Sequence, residues 1–405
     1  MKKAGILTIG NEILQGYTLD LNSNHISKEL TIRNIDVTIQ LTVPDVISKI
    51  KEKIDKFIIK KYDYIFITGG LGPTHDDVTK KALLELFNAD LIFLKDRHSD
   101  LEKYKNKKIC KSQSEILNIS KEIENNIGTA LGMEIKFNKS NIIILPGVPK
   151  EMNSMLKTYF ENNNLLINEN IPIFTINTFG IYETQLSDKI KPITNKYKNK
   201  IYCSFLPAYD GVKLRIKILH TSINMRILKN ELMALIKEYA YSYNDILLEE
   251  VILDMLIKNN MSLSIAESCT GGFISKSITD ISGSSKVFLG GLVAYNETIK
   301  NNFLDIPNDI IKNYGEVSSN VSKLMAKNIS KKFKSNISIS CTGISGPDGG
   351  SKDKPVGTVY ISIVFLEKLI TKKFIFKVDR KSHRLITKQA ALYMLWKLFN
   401  SELKY

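Results

Sequence analysis

The chain has 405 residues, 43% hydrophobic and 24% charged, with 57 Lys and Arg against 42 Asp and Glu for a net charge of +15. That length suits two or three domains rather than one core, and the composition is that of a globular protein. No apolar run approaches the length of a membrane span, and Cys110, Cys203, Cys269 and Cys341 sit at no metal-ligand spacing, so they read as reduced thiols of a cytoplasmic protein.

The N-terminus, MKKAGILTIGNE, places two lysines before a short apolar run. Asn11 and Glu12 end that run too early for a signal peptide, so residues 3–9 read as a first strand. Helix and strand signals then alternate: helix at 22–33, strand at 37–43, helix at 45–59 and a buried strand at 64–68. A GGLGPT turn leads to a helix at 76–87, and a strand at 142–145 precedes a helix at 150–159. This alternation predicts a mostly parallel sheet with helices on both faces. Residues 161–170, ENNNLLINEN, read as a polar linker. Strand patterns at 173–178 and 212–219 and helical patterns at 183–190 and 222–239 make a small α+β module. A third unit starts near residue 245. It has a helix at 246–258, a strand at 262–266, further strands at 291–295, 337–341, 357–365 and 372–378, and an amphipathic helix at 380–399. Trp396 reads as core there.

The lysines are dispersed and accompanied by many Ile and Asn, a mixture that resembles a coding bias toward AT-rich codons. Runs such as 103–108 read as solvated faces, which speaks against a nucleic-acid partner.

In the last third, Ala266-Glu267-Ser268-Cys269-Thr270-Gly271-Gly272 joins an expected strand to an expected helix. A serine at such a turn meets outward-pointing N–H groups able to hold an oxyanion. A helix start with a Ser or Thr N-cap explains the same stretch, and taken alone the stretch slightly favours that reading. A nucleophilic serine needs a base. Only His383 of the five histidines lies in this third, and no Ser-His-Asp pattern stands out. A lysine kept neutral by burial can also serve. Lys300 follows the strand expected at 291–295, but spacing alone does not single it out. Thr342-Gly343-Ile344-Ser345-Gly346-Pro347-Asp348-Gly349-Gly350 suits a phosphate or a tight substrate turn, or is an ordinary glycine-rich connection. Arg380 and Arg384, one helical turn apart, can reach one anion or form a solvated face.

In the first third, TGGLGPTHDDVT (68–79) follows a buried strand and opens a helix. Gly69, Gly70, Gly72 and Thr74 suit a phosphate, and Asp76 and Asp77 suit Mg²⁺. Glu12 and Asp45 end neighbouring strands and converge on the same sheet edge. Each acid taken alone is equally well explained as a helix N-cap.

Taken together and in order, AESCTGG, GSS (283–285), FLGGLVAYNETIK, GEVS (315–318), TGISGPDGG and KPVGTVY resemble the C-terminal domain of the CinA family, of the PncC amidohydrolase type. The region around GGLGPTHDD, with NNIGTALG (125–132) and LPGVPKEM (145–152), is similar to the MoaB/MogA molybdopterin-binding fold found in that family. The resemblance implies an α/β protein: a MoaB/MogA-like three-layer domain over 1–165, a KH-like α+β module over 170–243 and a CinA/PncC α/β domain over 245–405. No GXXG loop is visible in the middle module, which argues against RNA binding.

The resemblance further implies a nicotinamide mononucleotide deamidase with Ser268 as nucleophile, Lys300 as base and Tyr295 supporting the lysine. Ser284, Ser285, Thr342, Gly343, Arg384 and Arg380 would line its substrate site, and no cofactor is required. It implies an ADP-ribose pyrophosphatase dependent on a divalent metal such as Mg²⁺ in the first domain, and a homodimer. Cys269 is a rival nucleophile. The alternative class is a non-catalytic binder of nucleotide or pterin, or a competence-associated DNA protein. Molybdenum cofactor chemistry in the first domain is a third reading.

Overall fold

The computed structural model describes residues 2–75, 77–105, 109–166, 173–220 and 222–402. It forms two compact units, Met1–Ile171 and Pro172–Tyr405.

The first unit is built on β1 (Lys2–Ile9), β2 (Ile35–Val43), β3 (Tyr64–Thr68), β4 (Leu91–Phe93), β5 (Glu115–Leu117), β6 (Ser120–Ile123), β7 (Gly132–Phe137) and β8 (Ser140–Leu145). Six strands form one sheet in the order β2-β1-β3-β8-β7-β6, while β4 and β5 pair separately. The first four of the six are parallel, and β7 and β6 run antiparallel. The expected mostly parallel sheet is thus parallel on one side only, because β7 and β8 join through the short turn at Asn138, whose φ is 54°. β3 is buried on both faces, so its sequence YIFIT is continuously apolar rather than alternating. One apolar layer holds Ile50, Ile54 and Phe57 of the Ile47–Ile59 helix. The other holds Ile26 and Leu30 with Met152, Met155 and Leu156. The register sets Thr8 beside Thr68 and Thr68 beside Leu145. Three strands therefore end at one edge.

The second unit contains two sheets. β9 (Ile173–Thr178), β10 (Ile201–Ala208), β11 (Gly211–Ile218) and β12 (Ala240–Tyr243) form an antiparallel sheet in the order β10-β11-β9-β12. β13 (Leu263–Glu267), β14 (Phe288–Val293), β15 (Ile337–Gly343), β16 (Thr358–Phe365) and β17 (Lys368–Ile375) form the other, in the order β14-β13-β15-β16-β17. The sheets share one unit through specific contacts. Tyr393 OH, on the Arg380–Glu402 helix, donates to the carbonyl of Glu238 at 2.5 Å, and Gln389 Nε2 to Tyr241 OH at 3.4 Å.

In the five-stranded sheet, β14, β13 and β15 are parallel, and β16 and β17 antiparallel. The helices Leu248–Lys258 and Arg380–Glu402 pack on one face with Ile265, Ile339 and Ile361. The helix Ser319–Phe333 packs on the other, with Val321, Met325 and Ile329 against Ala266. Glu267 lies beside both Val293 and Cys341. The carboxyl ends of β13, β14 and β15 therefore line up, where open α/β sheets bind ligands. β14 spans Phe288–Val293 rather than 291–295, and it is an edge strand whose residues alternate in exposure. β17 spans 368–375 rather than 372–378, because it pairs in full with β16 from Phe365 back to Thr358.

Candidate active site

Ser268 directly follows β13 and is 7% exposed. Its N–H donates to the carbonyl of Cys341 at 3.0 Å, which holds the serine at the end of β15. The turn folds back through Gly271 N–H donating to the Ser268 carbonyl at 3.1 Å. Gly271 and Gly272 have φ of 58° and 88°, in the region that favours glycine. The helix Phe273–Thr279 is capped at Gly272 with no side-chain capping bond, so Ser268 is not an N-cap.

The capping is done instead by Glu267, which is fully buried. Its carboxylate accepts from Ile274 N–H at 3.0 Å, Ser275 N–H at 2.8 Å, Ser275 Oγ at 2.7 Å and Thr270 Oγ1 at 2.6 Å. A buried carboxylate is tolerable only when satisfied in this way. The Ser268 hydroxyl is thereby left out of the capping. Among the described residues the N–H groups of Cys269 and Thr270 donate to no backbone carbonyl of the turn.

A cavity of about 230 Å³ opens here. Ser268, Cys269, Tyr295, Glu316, Val317, Thr342, Gly343, Ser345 and Arg380 line it. It brings together Ser268, Tyr295, Thr342, Gly343 and Arg380 of the residues named from sequence. A Cβ on Gly343 would lie 2.8 Å from the Thr358 carbonyl oxygen, so no side chain fits there. Arg380 donates from Nη2 to Tyr295 OH at 2.8 Å and from Nη1 to the Gly346 carbonyl at 2.9 Å. Arg384 does not line the cavity. Its Nε and Nη2 donate to the Thr270 carbonyl at 3.1 and 2.7 Å, so it braces the serine turn from behind. Ser284 and Ser285 lie in a short 3-10 turn before β14, at the opposite end of the strands from Ser268.

Lys300 is fully buried behind the cavity. Its Nζ donates to Glu316 Oε2 at 2.5 Å and to the Tyr295 carbonyl at 3.2 Å. Tyr295 thus supports the lysine through its backbone, while its phenol serves Arg380. Glu316 and Ser345 are the polar cavity residues that sequence reasoning passed over. Both lay inside quoted motifs, GEVS and TGISGPDGG, but only the convergence of two loops shows that they face Ser268. Cys269 is a poor rival. The hydrogen bond with Cys341 and burial push its thiol well above the usual range, away from the reactive thiolate.

The first unit has its own cavity, about 440 Å³, at the carboxyl ends of β1, β2, β3 and β8. It includes Glu12, Asp45, Gly69, Gly70, Gly72 and Asp77. Gly69 and Gly70 have φ of 106° and 64°, and a Cβ on Gly69 would lie 2.2 Å from the Ile9 carbonyl oxygen. Asp45 accepts from Asn11 N–H at 2.8 Å. Asp77 accepts from Thr74 N–H at 2.9 Å and Thr74 Oγ1 at 2.6 Å, so Thr74 anchors the aspartate and does not itself line the cavity. Asp76 lies outside the described residues. Asp20 and Glu151 also line this cavity, and among the described residues no Lys, Arg or His does. Among those residues no group of three or more His, Cys, Asp or Glu is arranged to hold a metal ion.

The family model for the CinA C-terminal domain matches residues 246–399, and that for a probable molybdopterin binding domain matches 5–163. A CinA-like protein of Amoebophilus asiaticus is 36% identical over 420 residues, covering 98% of this chain and 99% of the relative. The chain belongs to the CinA family. A CinA-like protein of Pseudothermotoga lettingae is 33% identical across 100% of both chains. A putative competence-damage inducible protein of Clostridioides difficile is 34% identical over 95% of this chain and 96% of its own. Family membership fixes the MoaB-like first domain and the CinA last domain, and thereby the mixed α/β class expected from sequence. Among the described residues no helix is long and apolar enough to cross a membrane.

Proposed function

We propose that the Ser268 cavity is an amidase site that hydrolyses nicotinamide mononucleotide to nicotinate mononucleotide and ammonia. The observation that carries this is a serine freed from helix capping, on a cavity lined by Glu316, whose carboxylate holds the buried Lys300. Ser268 Oγ attacks the carboxamide carbon, and the turn N–H groups of Cys269 and Thr270 take the oxyanion. Lys300 takes the hydroxyl proton and returns it to the departing nitrogen. The C–N bond breaks, ammonia leaves, and water hydrolyses the acyl-serine. Lys300 Nζ makes no hydrogen bond to Ser268 Oγ here. Such catalytic contacts often tighten only with substrate bound. Glu316 Oε2, 2.5 Å from Lys300 Nζ, fixes the position of the amine beside the cavity.

The decisive assay is ammonia release from nicotinamide mononucleotide. Wild type should release ammonia, and Ser268→Ala should fall by at least about 10³-fold, the order expected when a nucleophile is removed. Lys300→Arg should be equally inactive, since a guanidinium does not deprotonate at neutral pH. Full activity in Ser268→Ala would sink the assignment.

For the first unit we propose a nucleotide diphosphate site of the ADP-ribose pyrophosphatase type. Five carboxylates and no described cationic side chain line its cavity. A diphosphate enters such a site only with its charge neutralised, which a divalent cation would supply. Glu12, Asp45 and Asp77 offer hard oxygen donors suited to one. The described residues include no complete three-ligand set, so water or the ligand's own phosphates would complete its shell.

A further inference from the structure

Two hydroxyls of the Ser268 cavity have their protons committed elsewhere. Thr342 Oγ1 donates to the Glu316 carbonyl at 2.9 Å. Ser345 Oγ lies 2.9 Å from His383 Nδ1, and His383 Nε2 lies 3.1 Å from the Gly357 carbonyl oxygen. A carbonyl only accepts, so Nε2 carries the ring proton. In the neutral imidazole Nδ1 then has only a lone pair, and the proton between it and Ser345 must come from the serine. His383 is fully buried, and desolvation holds its pKa below the usual value, which keeps the ring neutral. Ser345, itself 5% exposed, therefore turns lone pairs toward the cavity.

We propose that Ser345, oriented by His383, is the specificity-determining acceptor of this site, taking a hydrogen bond from the NH₂ of a carboxamide and opposing a carboxylate at the same place. The inference rests on the amidase reading above. Substrate and product of that reaction differ at this one position, where an N–H donor becomes an oxygen acceptor. A site built to pair with a donor discriminates strongly against an analogue that lacks it, because its own polar group is left unpaired. The arrangement selects the amide on entry and opposes the acid once ammonia has left.

Calorimetry on the full-length Ser268→Ala protein tests this, because neither ligand is consumed. It should bind nicotinamide mononucleotide more tightly than nicotinate mononucleotide by about fivefold or more, the equivalent of one hydrogen bond. Adding Ser345→Ala should weaken the amide, strengthen the acid and bring the ratio close to one. Adding Ser345→Thr, which keeps the hydroxyl, should preserve the preference. A ratio unchanged by Ser345→Ala in a protein with native circular dichroism overturns the proposal. So does equal binding of the two ligands before any change at Ser345. Failure of the amidase reading looks different: wild type releases no ammonia and neither nucleotide binds.

Discussion

His383 shows how one side chain couples the site to the stability of its domain. Its ring is buried with no carboxylate partner. Desolvation is the main cause of its lowered pKa, the hydrogen bond to Gly357 opposes the shift, and the charge of Arg380 adds to it. The folded state thus binds a proton less readily than the unfolded chain, whose histidine titrates near 6.5. Its contribution to stability is complete above that pH and is lost as pH falls toward the lowered folded value. Thermal midpoints recorded against pH should drop below about pH 6.5, and His383→Phe should flatten that part of the profile. An unchanged profile would show that the ring binds its proton equally well in the folded and unfolded chain. At this same scale the sequence was only half legible. AESCTGG shows a strand-to-helix turn but not that Glu267 rather than Ser268 caps the helix. Glu316 and Ser345 acquire their roles from partners 16 and 38 residues away, a pairing no local pattern carries.

Strands and helices with a single strong period were readable, because burial on one face or two writes itself into the apolar spacing. β1, β3 and the Leu248–Lys258 helix fall close to their expected bounds. The helix Ser319–Phe333 was not seen, since Ser and Lys fill its sequence and its buried stripe includes Ser322. That serine is satisfied by Ser362 Oγ at 2.7 Å, a partner 40 residues away. Two helices that were seen are tied by an unforeseen ion pair, Lys388 to Glu249 at 2.6 Å, with side chains only 7% and 9% exposed. Removing one partner of a buried pair strands the other charge, at about 3–5 kcal/mol. Glu249→Gln should therefore lower the stability of the second unit by roughly that order in urea unfolding. The double change Glu249→Leu with Lys388→Met should recover most of the loss. Equal losses in single and double variants would mean that the pair matters for packing rather than for charge.

Across the whole chain, each cavity draws its lining from one compact unit. The two proposed chemistries should therefore fail independently. Asp77→Asn should abolish ADP-ribose cleavage and leave ammonia release within about twofold, since distant sites act additively. A chelator should do the same, and Ser268→Ala the reverse. Loss of both activities from either change would refute this separation.

The serine turn also has a thermal consequence. It hangs from the fully buried Glu267, which four donors hold inside the sheet and helix it joins. A catalytic loop with its own weak attachments melts first, and such an enzyme dies before it unfolds. Here the nucleophile has no hinge of its own, so ammonia release and near-ultraviolet circular dichroism should vanish at one temperature. Glu267→Gln, which offers a single acceptor oxygen to those donors, should pull the two curves apart.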